Sequence, residues 1–332
     1  MPTNSKQPSK HFDWPAVGND NLLEFLDNSL FQHKLVQTYI FAGPEDLGKS
    51  TVALAFARNL IISDIKETRD FSSVNSDLHI LSREPGKKNI SIEAVRDFIK
   101  MLSLSSFLNS YKIGIIKEAE SLSPEAASAL LKTLEEPRDK VIIILLASSV
   151  DRLLPTIVSR SQVLYFYPVP FETVYNYLVK ELDLKRTDAK EMAALSAGRP
   201  LLAAKFAENP ELYDRQLDTA RLFLNFFNQD IPQRLEALAD FLSGQVISVN
   251  YVSDILEIWQ RVARDLVLNE INCSELIQHA ALIKELEAIN GSSNQESLIY
   301  YSQILELLDT LRKYLTANVA PNIVLEQVIY NL

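Results

Sequence analysis

The chain has 332 residues, 47% of them hydrophobic, and a formal net charge of −10. That length holds two or three domains with sizeable cores, and the acidic balance excludes a stand-alone nucleic-acid binder, because phosphate neutralisation needs clustered Lys and Arg. The single cysteine, Cys273, excludes an internal disulfide and a cysteine zinc site and reads as a surface or half-buried thiol at a helix start.

The first eleven residues are polar and give no signal peptide. A helical pattern follows over 21–31, then an apolar strand at Thr38–Ala42. Directly after it stands Gly43-Pro44-Glu45-Asp46-Leu47-Gly48-Lys49-Ser50, which matches the phosphate-binding P-loop, and a helix is expected over 50–60. Glycines let the backbone curl its amides toward a phosphate, and the helix N-terminus adds partial positive charge. In that reading Gly43, Gly48, Lys49 and Ser50 bind the nucleotide, with Lys49 reaching the β- and γ-phosphates and Ser50 binding Mg²⁺.

A second strand is expected at Leu78–Leu81, followed by a basic loop over 83–88 holding Arg83, Lys87 and Lys88. Such a loop either faces DNA in an assembly or is a solvated turn. A helix over 92–102 leads to a third strand, Lys112–Ile116. This strand looks like the one that supports metal in P-loop enzymes and normally ends in Asp then Glu. Here Lys117 stands at the Asp position and Glu118 at the Glu position. An ammonium repels Mg²⁺, so impaired hydrolysis is expected, the alternative being that Glu118 or another carboxylate supports the metal.

A helix over 124–134, a strand at Val141–Ala147, a helix over 153–158 and a strand over 163–166 complete the alternation. Val141–Ala147 is the longest apolar run, far too short to cross a bilayer, so a cytoplasmic protein with no membrane partner is expected. Strand and helix at this spacing predict a parallel sheet flanked by helices, and strands apolar throughout are those buried on both faces. The expected boundaries are a P-loop nucleotide-binding domain over 1–168, a small helical lid over 169–208 and an all-α block over 209–332, where Val252, Leu256, Trp259, Val262 and Leu266 recur at helical spacing.

Several strings carry a resemblance: His33-Lys34-Leu35 running through Tyr39-Ile40-Phe41 into the P-loop, Leu130-Leu131-Lys132-Thr133-Leu134-Glu135-Glu136-Pro137, Arg152-Leu153-Leu154-Pro155-Thr156-Ile157, and Ser159-Arg160-Ser161. On these the chain resembles the bacterial clamp-loader AAA+ family of DNA polymerase III, above all its delta-prime branch. The resemblance implies an α/β P-loop AAA+ domain, a small helical lid and an all-α C-terminal collar used for oligomerisation. It implies DNA replication as the setting, other clamp-loader subunits as ring partners, and the sliding clamp and primed DNA as partners through the complex. ATP or ADP is the implied nucleotide, with Mg²⁺ disfavoured by Lys117. Ser148 or the adjacent Ser149 matches the sensor that reads the γ-phosphate, Glu118 a degenerate acidic pair, and Arg160 an arginine finger acting in trans on a neighbour's nucleotide.

Three departures bear on the role. The Asp before Glu118 is missing. The family's zinc cysteines have no counterpart over 59–77, so no metal is expected. The second sensor Arg is displaced: Arg199 lies directly beside Gly198, and Leu201 stands at the expected place. These favour a non-motor, delta-prime-like member with impaired ATP hydrolysis of its own over an active gamma/tau-like motor. A small-molecule P-loop kinase is disfavoured, since the C-terminal region offers no Arg-rich lid.

Overall fold

The computed structural model describes residues 12–15, 17–64, 76–106, 110–136, 138–289, 295–317 and 319–332. By internal contacts the chain forms two compact units. One comprises 1–173 with 199–201, the other 174–198 with 202–332.

The first unit is built on a sheet whose described strands are β1 (Thr38–Ala42), β2 (Leu78–Leu81), β3 (Lys112–Ile116), β4 (Val141–Ala147) and β5 (Gln162–Tyr165), in the order β2-β3-β4-β1-β5. Each of the four pairings is parallel. Every residue of β1, β3 and β4 is buried, as the largely apolar runs of these strands require. Side chains alternate between faces. Tyr39 and Phe41 of β1 therefore pack with Phe56 on helix α2 (Lys49–Asp64), Tyr39 meeting Phe56 edge-on at 5.3 Å, and with helix α1 (Asp20–Phe31). Ile40 and Ala42 join Ile143 and Leu145 beneath helices α3 (Ile92–Ser103) and α4 (Pro124–Glu135). Gly114 explains the break in β3's apolar run, because a Cβ there would stand 2.5 Å from the Phe98 ring of α3.

The helix ends follow from local chemistry. Ser123 caps α4 by accepting the Ala126 amide at 3.1 Å, and Pro124 occupies the first turn, where its missing N–H costs nothing. The helix expected over 153–158 begins later: α5 spans Pro155–Val158, and Leu153 and Leu154 are extended. A proline disfavours helical geometry in the residue before it and is itself preorganised to start a helix. Strand β5 sits one residue earlier than the apolar run 163–166 suggested, since Gln162 pairs opposite Tyr39, while Phe166 still donates its amide to Ala42 at 2.7 Å.

The second unit is helical among the described residues: α6 (Phe171–Lys180), α7 (Arg186–Leu195), α8 (Pro200–Glu208), α9 (Pro210–Phe226), α10 (Ile231–Leu242), α11 (Val249–Glu270), α12 (Ile283–Ile289), α13 (Gln295–Thr316) and α14 (Pro321–Asn331). The first residues of α6 and α8 count with the first unit. Its core centres on Trp259 of α11. The Trp259 ring stacks on Phe223 of α9 at 5.4 Å, and its Nε1 donates to the Thr219 carbonyl at 3.0 Å. Leu195, Leu202 and Phe206 belong to the same core, so α7 and α8 share it with the helices beyond 209. Cys273 is half-buried and heads a short 3₁₀ turn, Ser274–Leu276.

One buried polar pair lies inside this unit. The Asp265 carboxylate accepts the amides of Gln278 and His279 and sits 2.7 Å from His279 Nδ1. Burial pushes the His279 imidazole below its usual value, and Arg261 acts in the same direction, against the raising effect of Asp265. An unfolded histidine titrates near about 6.5. Below that pH the unfolded chain takes up a proton that the folded chain resists, so stability falls as pH drops from roughly 6.5. Urea midpoints taken at successively lower pH should decline more steeply for the wild type than for His279→Asn, which keeps a donor for Asp265 but no titrating ring. Parallel slopes would remove His279 from the account.

Candidate nucleotide site

Ligand sites of parallel α/β sheets form beyond the carboxyl ends of the strands, and the residues singled out in the sequence gather there. Gly43 follows β1 and donates its amide to the Ala147 carbonyl of β4 at 3.2 Å. Its φ is 143°, and a Cβ would fall 2.3 Å from the Phe166 carbonyl oxygen, so no other residue fits this opening of the loop. Asp46 takes a left-handed φ of 61° and Gly48 a φ of 89°, with open space where a Gly48 side chain would stand. The backbone is thereby curled into a cradle ending at the first residues of α2, Lys49 and Ser50. Lys49 Nζ donates to the carbonyls of Gly43 and Pro44. Burial lowers the Lys49 pKa, opposed by the negative charges of Glu45, Glu120 and Asp46. Curled amides, a helix N-terminus and a partly desolvated ammonium together fit a phosphate group.

Chain reversal after β3 sorts the carboxylates. Lys117, half-buried, donates its amide to the Leu81 carbonyl at 2.8 Å, completing the β2–β3 rungs. Glu118 then adopts a left-handed φ of 50° and heads a 3₁₀ turn, Ala119–Ser121. Its exposed carboxylate pairs with Arg83 at 2.8 Å. Two residues on, Glu120 points to the other side: its Oε1 accepts the Ser148 amide at 2.9 Å and the Ser148 hydroxyl as well. Ser148 follows β4, beside the start of the P-loop. The neighbouring Ser149 instead caps a 3₁₀ turn at Val150–Arg152. The sequence reading named Ser148 and passed over Glu120. The missed signal was a second carboxylate immediately after the strand that carries Lys117.

Two other assignments lie apart from the cradle. Arg160, after α5, forms an ion pair with Glu135 of α4 at 2.7 Å and donates to the Thr156 carbonyl at 3.1 Å. In the basic loop, Arg83 pairs with Glu118 and Lys87 with Glu84, so two of its three cations are already neutralised within the chain. Leu201 contributes a backbone amide to the Asp46 carbonyl at 3.1 Å, where a sensor Arg was sought. Residues 65–75 of the stretch expected to lack zinc, and Pro137, lie outside the described residues. Among the described residues, no helix is long and apolar enough to cross a membrane.

Residues 18–170 match a family model described as DNA polymerase III, delta subunit. The chain is 35% identical over 165 residues to the DNA polymerase III subunit delta′ of Haemophilus influenzae, covering 49% of this chain and 50% of that one. It is 24% identical over 325 residues to the delta′ subunit of Bacillus subtilis, covering 94% and 95%. Tau and gamma/tau subunits match over about half of this chain's length. The chain spans about half, or less, of the length of the first curated relatives it matches. In fold it is similar to a gamma subunit-related protein of Thermotoga maritima, with a TM-score of 0.51 and 18% identity over 92% of this chain and 97% of that one. The architecture is thus an α/β P-loop AAA+ fold followed by helices.

Proposed function

We infer that this chain, a relative of the bacterial DNA polymerase III delta′ subunits, serves as the non-motor member of a clamp loader, helping to place the sliding clamp on primed DNA. What carries the reading is likeness to a delta′ subunit along 94% of the chain, through the helical C-terminal region as well as the P-loop region. Its partners in this role are the other loader subunits in a hetero-oligomeric ring and, through the complex, the clamp and primed DNA. The cytoplasm is the compartment such work implies. Residues 169–208 act as lid and 209–332 as collar.

Gly43, Gly48, Lys49 and Ser50 would hold the phosphates of ATP or ADP. Bound ATP supplies a terminal phosphoryl group whose loss changes the charge that the ring reads. The chain's own residues are poorly set for that loss. Lys117 replaces the carboxylate that steadies Mg²⁺, Glu118 is held by Arg83, and the Ser148 hydroxyl is committed to Glu120. Arg160 acts outward on a neighbour's nucleotide.

The test has two arms. Full-length chain mixed with the remaining loader subunits should co-elute as one complex, and the chain alone should show negligible ATP turnover. Turnover at the level of an active P-loop motor would support the gamma/tau-like reading, which the intact cradle favours. Failure to co-elute would end the loader reading altogether.

A further inference from the structure

The charges around the P-loop are inverted relative to what a triphosphate and its metal require. At the end of β3 a cation, Lys117, stands where metal needs an anion. At the rim of the P-loop, next to the strand end that anchors Gly43, stands an anion. Glu120 is fixed there by two donors from one residue, the Ser148 amide at 2.9 Å and the Ser148 hydroxyl. Ser148 is next in sequence to Ala147, whose carbonyl holds the Gly43 amide, so the carboxylate is tied to the rim of the cradle. Its second oxygen, Oε2, is buried and has no hydrogen-bond partner. The Glu120 charge reaches Lys49. Both bonds that hold Glu120 come from Ser148, the residue matched to the γ-phosphate sensor.

We propose that Glu120 makes this a diphosphate-selective site: the cradle takes a nucleoside diphosphate, and the carboxylate fixed by Ser148 rejects the terminal phosphate of a triphosphate. The proposal rests on the reading of the P-loop as a nucleotide site and adds to it which nucleotide the site retains. Two like charges a few ångströms apart in a partly desolvated rim repel strongly enough to weaken a ligand on the order of tenfold to a hundredfold. In the proposed site the α- and β-phosphates are held by the curled amides of Gly43–Lys49, and the terminal phosphate is the group that meets Glu120. Adenosine diphosphate would thus stay bound in the presence of cellular triphosphate, locking the subunit in one state through the loader cycle.

The experiment is calorimetric titration of the full chain with ADP and with ATP, each with and without Mg²⁺, for wild type, Glu120→Gln and Glu125→Gln. Glutamine keeps an acceptor for Ser148 and removes the charge. Glu125 is an exposed residue of α4 and serves as the control. Wild type and Glu125→Gln should bind ADP at least about tenfold more tightly than ATP. Glu120→Gln should tighten ATP and leave ADP nearly unchanged, bringing the two within a few-fold, with an unaltered thermal melt. A Glu120→Ala chain should show the same convergence if the glutamine variant melts early. Equal affinities in the wild type, or a ratio unmoved by both Glu120 variants, overturns the selectivity and leaves the P-loop reading standing. Absence of binding by either nucleotide in every variant overturns both.

Discussion

In the proposed role, clamp-loader complexes rebuilt with Arg160→Ala are expected to lose hydrolysis at the neighbouring site, with a rate drop on the order of 10³–10⁵ there. The guanidinium is planar, permanently charged and suited to phosphate oxygens. In the folded chain it is neither buried nor committed to the chain's own P-loop. It leans on Glu135 and on the Thr156 carbonyl, contacts that fold the side chain back along the short helix α5 and against α4. Both partners of the ion pair are more than a third exposed, at 36% and 51%. An ion pair of that kind contributes about 0–1 kcal/mol, so the variant should fold and assemble normally. Glu135→Ala should cost far less, because it loosens the arm without removing its charge. Single-turnover hydrolysis by the rebuilt complex separates these outcomes. Rates equal to wild type for Arg160→Ala would reduce this residue to a surface cation.

Trp259→Ala should be the most damaging single change to the helical unit. The indole is fully buried, stacks on Phe223, meets Phe226 edge-on at 5.6 Å, and satisfies the Thr219 carbonyl. Truncation removes the largest packed side chain of α11 and leaves a cavity plus an unsatisfied acceptor, at a cost of about 3–5 kcal/mol. Against total stabilities of roughly 5–15 kcal/mol, that loss puts the unit near its limit. Leu195, Leu202 and Phe206 share this core. The damage should therefore spread to α7 and α8, and with it the assembly proposed for this chain should be lost. Denaturant midpoints read by far-UV circular dichroism measure the loss. A change under about 1 kcal/mol would mean that neighbouring side chains refill the site.

The sequence showed some of this architecture and hid the rest for physical reasons. The strands β1, β3 and β4 were legible because burial on both faces demands mostly apolar runs. The P-loop was legible because its chemistry is local: glycines at left-handed positions between one strand and one helix. Helix α5 was misjudged at its start, since periodicity over 153–158 outweighed the restriction that Pro155 places on Leu154. The Glu120–Ser148 contact was not legible, because its partners lie 28 residues apart and meet only through the pairing of β3 with β4. The same holds for Glu118 and Arg83, 35 residues apart, brought together by β2 and β3. A sequence shows which carboxylates follow a strand. It does not show that a left-handed Glu118 sends one of them toward each neighbouring strand.

The strand order has a consequence for the chain as it leaves the ribosome. Among the described residues, strand β1 pairs with β4 and β5, and those are made roughly a hundred residues later, on the order of 5–20 s at ordinary elongation rates. During that interval Tyr39 and Phe41 have no sheet to enter, while β2 and β3 can already pair with one another. Gly43 also waits, because its opening is shaped by the Ala147 and Phe166 carbonyls. The phosphate cradle is written early in the message and assembled late. A nascent chain stalled before residue 141 would expose an unpaired apolar strand to chaperones and have no formed place for a nucleotide.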